Sequence, residues 1–241
     1  MGTEFLEGPK PKTKFGKKFK APIYIGKDGS KEFIKTLYDY VLDLETNIIS
    51  KEELVSSVPK SGMDPYQYTQ QWKQHNLFDD VVGLGGEHLQ RFKKIPEIDQ
   101  LLKLVREHYL IHLANLNYPR IKAYIHGWAN VLRKDQWITP HTHIDGEESY
   151  LAATYYLTTN NTNLYMHDAS HTQTCAAVST EAGKLVIFPS WIPHWSDKCE
   201  DENLRVSLAF DIVTETTVLG NPWRPHVLLD DPATMPGLDG R

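Results

Sequence analysis

The stretch Trp137-Ile-Thr-Pro-His141-Thr-His143-Ile-Asp145, followed downstream by Pro193-His194 and Arg205-Val-Ser207, decides how this chain is read. In an extended strand successive side chains point to opposite faces, so His141, His143 and Asp145 would share one face. A second strand bringing His194 alongside completes a face of three ligands for a divalent metal and leaves its other positions open. Imidazole nitrogen and carboxylate oxygen are donors that suit such an ion. Two ligand sets fit the spacing. One is His143, Asp145 and His194; the other is His141, His143 and His194, with the same geometry. His143 and His194 belong to both.

The segments around this stretch read as strands. Residues 121–132, 137–145, 151–158, 164–167, 174–178, 184–188 and 204–213 are short, rich in Thr, Val and Tyr, and separated by Gly, Pro, Asn and Asp. Many short strands with turn signals between them predict a sandwich or barrel rather than a parallel sheet. Upstream, Phe33, Ile34, Leu37, Tyr38, Val41, Leu42 and Leu44 recur at helical spacing. So do Ile98, Leu101, Leu102, Val105, Tyr109, Leu110 and Leu113, in a run opened by Pro96. Helices first and strands after predict a mostly β chain with flanking helices (α+β), the helices packed outside a double-sheet jelly roll.

The expected organisation is a loose basic tail over 1–20 and a single domain over 21–241. That domain divides into a helical part to 117, a jelly-roll core over 118–215 and an irregular tail over 216–241. Residues 56–85, rich in Ser, Gly, Pro, Gln and Asp, are expected to form a long loop that covers the mouth of the barrel. His167 and His171 fall on a predicted loop and are further candidates for ligand or substrate contact. His126 reads as a packed strand histidine. Trp137, Tyr165, Trp191 and Trp195 suit either an aromatic substrate pocket or a core.

Composition narrows the class of protein. The 241 residues are 40% hydrophobic and 24% charged, with a net charge of -5. That supports a packed core and gives no reason to expect nucleic acid or an anionic membrane as partner. The run with Lys at 10, 12, 14, 17, 18 and 20 reads as a solvated exception. No apolar run is long enough to span a membrane, and the start lacks a signal-peptide core. Cys175 and Cys199 have no metal-type spacing, which fits a reduced, cytoplasmic setting.

Residues from Tyr124 to Val213 resemble the Fe(II)/2-oxoglutarate-dependent oxygenase superfamily, and within it a group of oxygenases common in bacteria and bacteriophages. The resemblance rests on Trp128-Ala-Asn130, His141-Thr-His143, Tyr155-Tyr-Leu157, Gly183-Lys-Leu-Val-Ile-Phe-Pro-Ser-Trp-Ile-Pro-His194 and Arg205-Val-Ser207. The gap between His143 and Tyr155 is a few residues longer than in that group. The resemblance implies a double-stranded β-helix (jelly roll), Fe(II) as the metal and 2-oxoglutarate as cosubstrate. It further implies hydroxylation of an unidentified substrate with release of succinate and CO2, in the cytoplasm of a bacterium or of an infected host.

Register against the group selects His141, His143 and His194 as ligands. The wider superfamily's His-x-Asp/Glu pattern selects His143 and Asp145 with His194. The cosubstrate's distal carboxylate is expected on Arg205, with Ser207 and the Tyr156 phenol beside it. Two other readings stay open. One is a cupin-like three-histidine enzyme that does not use 2-oxoglutarate, and the other is a metal-stabilised binding module without turnover.

Overall fold

A computed structural model describes residues 2–16, 18–48, 76–79, 94–143, 146–168, 174–200, 202–220 and 225–238. Its strands are β1 (Gly2–Glu7), β2 (Lys20–Lys27), β3 (Ala123–Leu132), β4 (Leu151–Tyr156) and β5 (Asn163–His167), then β6 (Thr174–Ser179), β7 (Lys184–Pro189), β8 (His194–Ser196), β9 (Arg205–Thr214) and β10 (Val227–Asp230). The helices are α1 (Lys31–Ile48), α2 (Pro96–Leu116) and the short α3 (Glu215–Gly220). Seven strands form one sheet in the order β1-β2-β7-β4-β9-β3-β10, and three form a second in the order β6-β5-β8. All pairings are antiparallel. This is the expected jelly roll with helices outside it.

The large sheet separates two apolar cores. Leu185, Ile187, Val206, Leu208, Phe210 and Ile212 pack with Leu37, Val41, Leu44, Ile98, Leu101 and Val105 of the helices. Val186, Phe188, Ala152 and Tyr156 pack instead with Leu164, Met166 and Val178 of the small sheet. Neighbours along one strand thus go to opposite cores, as pleating requires. Strand β9 is buried on both faces over nearly its whole length. Arg205, Ser207 and Asp211 are therefore removed from water on its sandwich side, which is costly unless partners meet them.

Local chemistry sets the element ends. The Ser30 Oγ accepts the Phe33 N–H at 3.1 Å and caps α1. Pro96 opens α2, where its missing N–H costs nothing. Asn117 closes α2 with a left-handed backbone (φ 55), its N–H donating to Ala114 O while the Tyr118 N–H donates to Leu113 O. Each fully buried Leu, Ile or Val on these helices contributes about 2 kcal/mol. Gly183 precedes β7 at φ 82, where an added Cβ would lie 2.9 Å from the Asp28 carbonyl oxygen. Only glycine fits that position.

Several sequence expectations need correction. Residues 137–145 do not form a regular strand among the described residues; His141 alone bridges to His194. Pro140 supplies no ladder donor, which breaks the pairing there. Ile144 and Asp145 lie outside the described residues. Gly2–Glu7, expected as loose tail, pairs along its length with β2, which itself falls in the part expected to be helical. The carboxy-terminal tail also carries regular structure, α3 and β10, the latter paired with β3. Most of the expected 56–85 loop lies outside the described residues. Within it, Leu77 and Phe78 are buried, and Leu77 donates its N–H to Gly127 O at 2.8 Å. No helix among the described residues is long and apolar enough to cross a membrane.

Candidate metal centre

β7 ends at Pro189, and the following turn delivers His194 to β8 beside residues 139–143. The His141 N–H donates to His194 O at 3.1 Å, and the His194 N–H returns to His141 O at 3.0 Å. The His143 N–H donates to Ser190 O at 3.0 Å. These main-chain bonds bring the three rings together, with centroids 4.3 Å apart for His141 and His194, 4.9 Å for His143 and His194, and 5.2 Å for His141 and His143. One ring nitrogen from each lies within 4.8 Å of the others.

The outward-facing nitrogens settle which atom is available. His141 Nδ1 lies 2.8 Å from Thr139 O, and His194 Nδ1 lies 2.9 Å from Ile192 O. A carbonyl oxygen can only accept, so Nδ1 carries the proton in both rings and the lone pair sits on Nε2. His143 Nδ1 bonds the Asp211 Oδ1. Thr139-Pro140-His141 and Ile192-Pro193-His194 share one device. Proline holds the residue before it extended, and the carbonyl of that residue returns to the imidazole. Burial, reinforced by the facing His143 and His141 rings, holds His194 well below the ordinary histidine range. It is therefore neutral and able to donate to a cation. Phe188 meets the His194 ring edge-on at 4.8 Å, and Trp128 lies 5.5 Å from the His143 ring.

The same cavity, about 670 Å³ including its open mouth, is lined by Trp128, Asn130, Tyr156, Phe188, Arg205 and Ser207 with the three histidines. Arg205 is 2% exposed, yet its Nε and Nη1 have no hydrogen-bond partner. Its guanidinium carbon sits 5.7 Å from the centre of the Tyr156 ring. The Tyr156 hydroxyl is likewise buried without a partner. Burial pushes this phenol up, against the pull of Arg205. Ser207 lies opposite Tyr156 on β4 and Asn130 on β3. A planar cation with unused donors, beside a phenol and a hydroxyl, is complementary to a carboxylate.

The structure thus brings His141, His143 and His194 together and puts Arg205, Ser207 and Tyr156 in the same cavity. The donor set fits a divalent ion of the Fe(II) kind, and the guanidinium fits a dicarboxylate. Asp145 and His171 lie outside the described residues. His167, expected on a loop, ends strand β5; it stands edge-on to Trp195 at 5.3 Å and is not grouped with the three imidazoles. His126 is buried, its Nδ1 2.8 Å from Pro225 O. Tyr165 and Trp195 stack at 5.4 Å, and Trp191 packs on Phe19. Asp211 is the site residue that reading the sequence missed. Its signal is parity: it follows Arg205 and Ser207 at even steps on β9 and shares their face.

A family model described as "Putative 2OG-Fe(II) oxygenase" matches residues 158–211, which include His194, Arg205, Ser207 and Asp211. No curated protein matches the chain. Among solved structures, a prolyl-4-hydroxylase from Pseudomonas putida is similar, with 13% identity and a TM-score of 0.51 over 80% of this chain and 88% of that one. A Trichoplax adhaerens prolyl hydroxylase, solved with a hypoxia inducible factor peptide, shows 14% identity and a TM-score of 0.53 over 80% of this chain and 84% of that one. At these identities the two structures establish the shared fold. The family match over residues 158–211, together with the shared jelly roll and the clustered imidazoles, makes this chain similar to the Fe(II)/2-oxoglutarate-dependent oxygenase superfamily.

Proposed function

We propose that the protein is a dioxygenase in which His141, His143 and His194 hold Fe(II) and Arg205, Ser207 and Tyr156 hold the distal carboxylate of 2-oxoglutarate, and that its product is a hydroxylated substrate. The observation that carries this reading is Arg205. A guanidinium buried to 2% with two nitrogens unpartnered, in one cavity with three converging imidazoles, is a site waiting for an anion. A bound Fe(II) would let O2 act as the oxidant, one oxygen atom going to the 2-oxo acid to give succinate and CO2 and the other to the substrate C–H bond to give the hydroxylated product. The chain's own residues position and exclude. The imidazoles present their Nε2 atoms to the metal, Arg205 fixes the far end of the cosubstrate, and Trp128, Leu164 and Phe188 keep water from the reacting centre.

Succinate formation from 2-oxoglutarate with added Fe(II) tests this directly. His194→Ala should abolish it, and Arg205→Met should weaken 2-oxoglutarate binding by roughly 30-fold or more, the loss expected for hydrogen bonds to a charged group. Equal rates in wild type and His194→Ala would reject the assignment. Asp145 remains the rival third ligand. Comparing metal affinity in His141→Ala and Asp145→Ala decides between them, because only the true ligand's loss should weaken binding severely.

The three-imidazole grouping also favours a second reading, a cupin-like enzyme that takes no 2-oxoglutarate. In that case Arg205→Met would leave 2-oxoglutarate-independent turnover as its signature.

A further inference from the structure

We infer that Asp211 is a positioning residue that supplies negative charge to this all-imidazole centre, acting through His143; the inference rests on the metal-site reading above. A ligand set containing a carboxylate brings one negative charge to the metal, whereas three neutral imidazoles bring none. The structure puts a carboxylate one ring further out. Asp211 is 2% exposed, lies on the sandwich face of β9 with Arg205 and Ser207, and bonds His143 Nδ1.

The three rings are not treated alike. His141 and His194 give their Nδ1 protons to backbone carbonyls, while His143 gives its own to an ion. A carboxylate accepting that proton draws it away from the ring, makes Nε2 a stronger donor and fixes the ring plane. The register of β9 against β3 and β4, which puts Asp211 opposite His126 and Ala152, holds the carboxylate in place. Trp128, its ring centroid 5.5 Å from that of His143, also limits the rotation of the imidazole.

Asparagine and alanine separate charge from orientation at this position, since the Asn amide oxygen can still accept the Nδ1 proton. Co(II) titration of the full-length apoprotein, followed by its visible absorption bands, is the measurement. Asp211→Asn should weaken Co(II) binding about 10-fold and shift the bands, and Asp211→Ala should weaken it toward 100-fold. Wild-type affinity and spectrum in Asp211→Asn would overturn the inference. If wild type itself takes up no Co(II), the metal-site reading fails and this inference falls with it. His194→Ala, which should not bind Co(II), separates that failure from the first.

A second measurement needs no variant. In the Zn(II)-loaded wild-type protein, with histidines labelled with 15N, the His143 Nδ1 proton should resonate further downfield than those of His141 and His194. Equal shifts for all three would also overturn the inference.

Discussion

Arg205 brings a permanent charge into the sandwich, with two of its nitrogens left without acceptors. A buried charge that lacks its partner lowers the stability of the ligand-free protein, and even paired buried charges can often be replaced by apolar residues of similar volume with no loss or with a gain of about 1–4 kcal/mol. Arg205→Met is therefore expected to raise the melting temperature of the ligand-free protein while removing the rise that 2-oxoglutarate gives wild type. Thermal scans with and without cosubstrate check both halves, and a variant that melts lower than wild type without ligand would mean that Arg205 is structural. At this scale much of the site was legible. Arg205 and Ser207 stand two residues apart on one strand, and the Pro-His pairs are visible in the sequence. Asp211 was not, because nothing in the sequence shows that its face meets a histidine nearly seventy positions upstream.

Helix α2 carries His108 and His112 on its buried face beneath β1 and β2. His112 Nδ1 pairs with Thr3 Oγ1 at 3.0 Å, and His108 Nδ1 with the Tyr24 hydroxyl at 2.7 Å. Burial pushes His112 down to about 4 and lowers His108, the latter partly offset by Asp28. In the unfolded chain both would titrate near 6.5. Between roughly pH 6.5 and 4 the unfolded state therefore binds protons that the native state refuses. Stability is full above that window and falls as pH drops through it, by roughly 3 kcal/mol for His112 alone. Urea unfolding at pH 7.5 and 4.5 should show this loss in wild type and a smaller one in His112→Asn; an equal loss in both would exclude His112 as the cause. The sequence announced α2 through its apolar period and Pro96. The burial of its histidines depends on β1, the strand that was expected to be loose tail.

Across the whole molecule, one buried carboxylate ties the carboxy-terminal segment to the helical layer. Asp230 on β10 is fully buried and accepts from Arg106 Nη2 of α2 at 2.8 Å and Arg120 Nη2 at 2.8 Å, with both Nε atoms also bonded to it. Breaking such a cluster from one side costs about 3 kcal/mol or more. Asp230→Asn should lower the melting temperature by roughly 10 °C. It should leave Co(II) affinity unchanged, because Asp230 is not among the residues lining the metal cavity. An unchanged melting temperature would show that the clamp contributes nothing.

The sequence by itself determined the donors, the helices and the alternation of the inner strands, because period and residue chemistry are local properties of a chain. The edge strands β1 and β10, the breakdown of pairing around Pro140 and the meeting of Asp211 with His143 were decided only by tertiary structure. Strand β1 carries few apolar residues to mark it and β10 is only four residues long, and an ion's partner in a sandwich is fixed by the register between strands far apart in the chain.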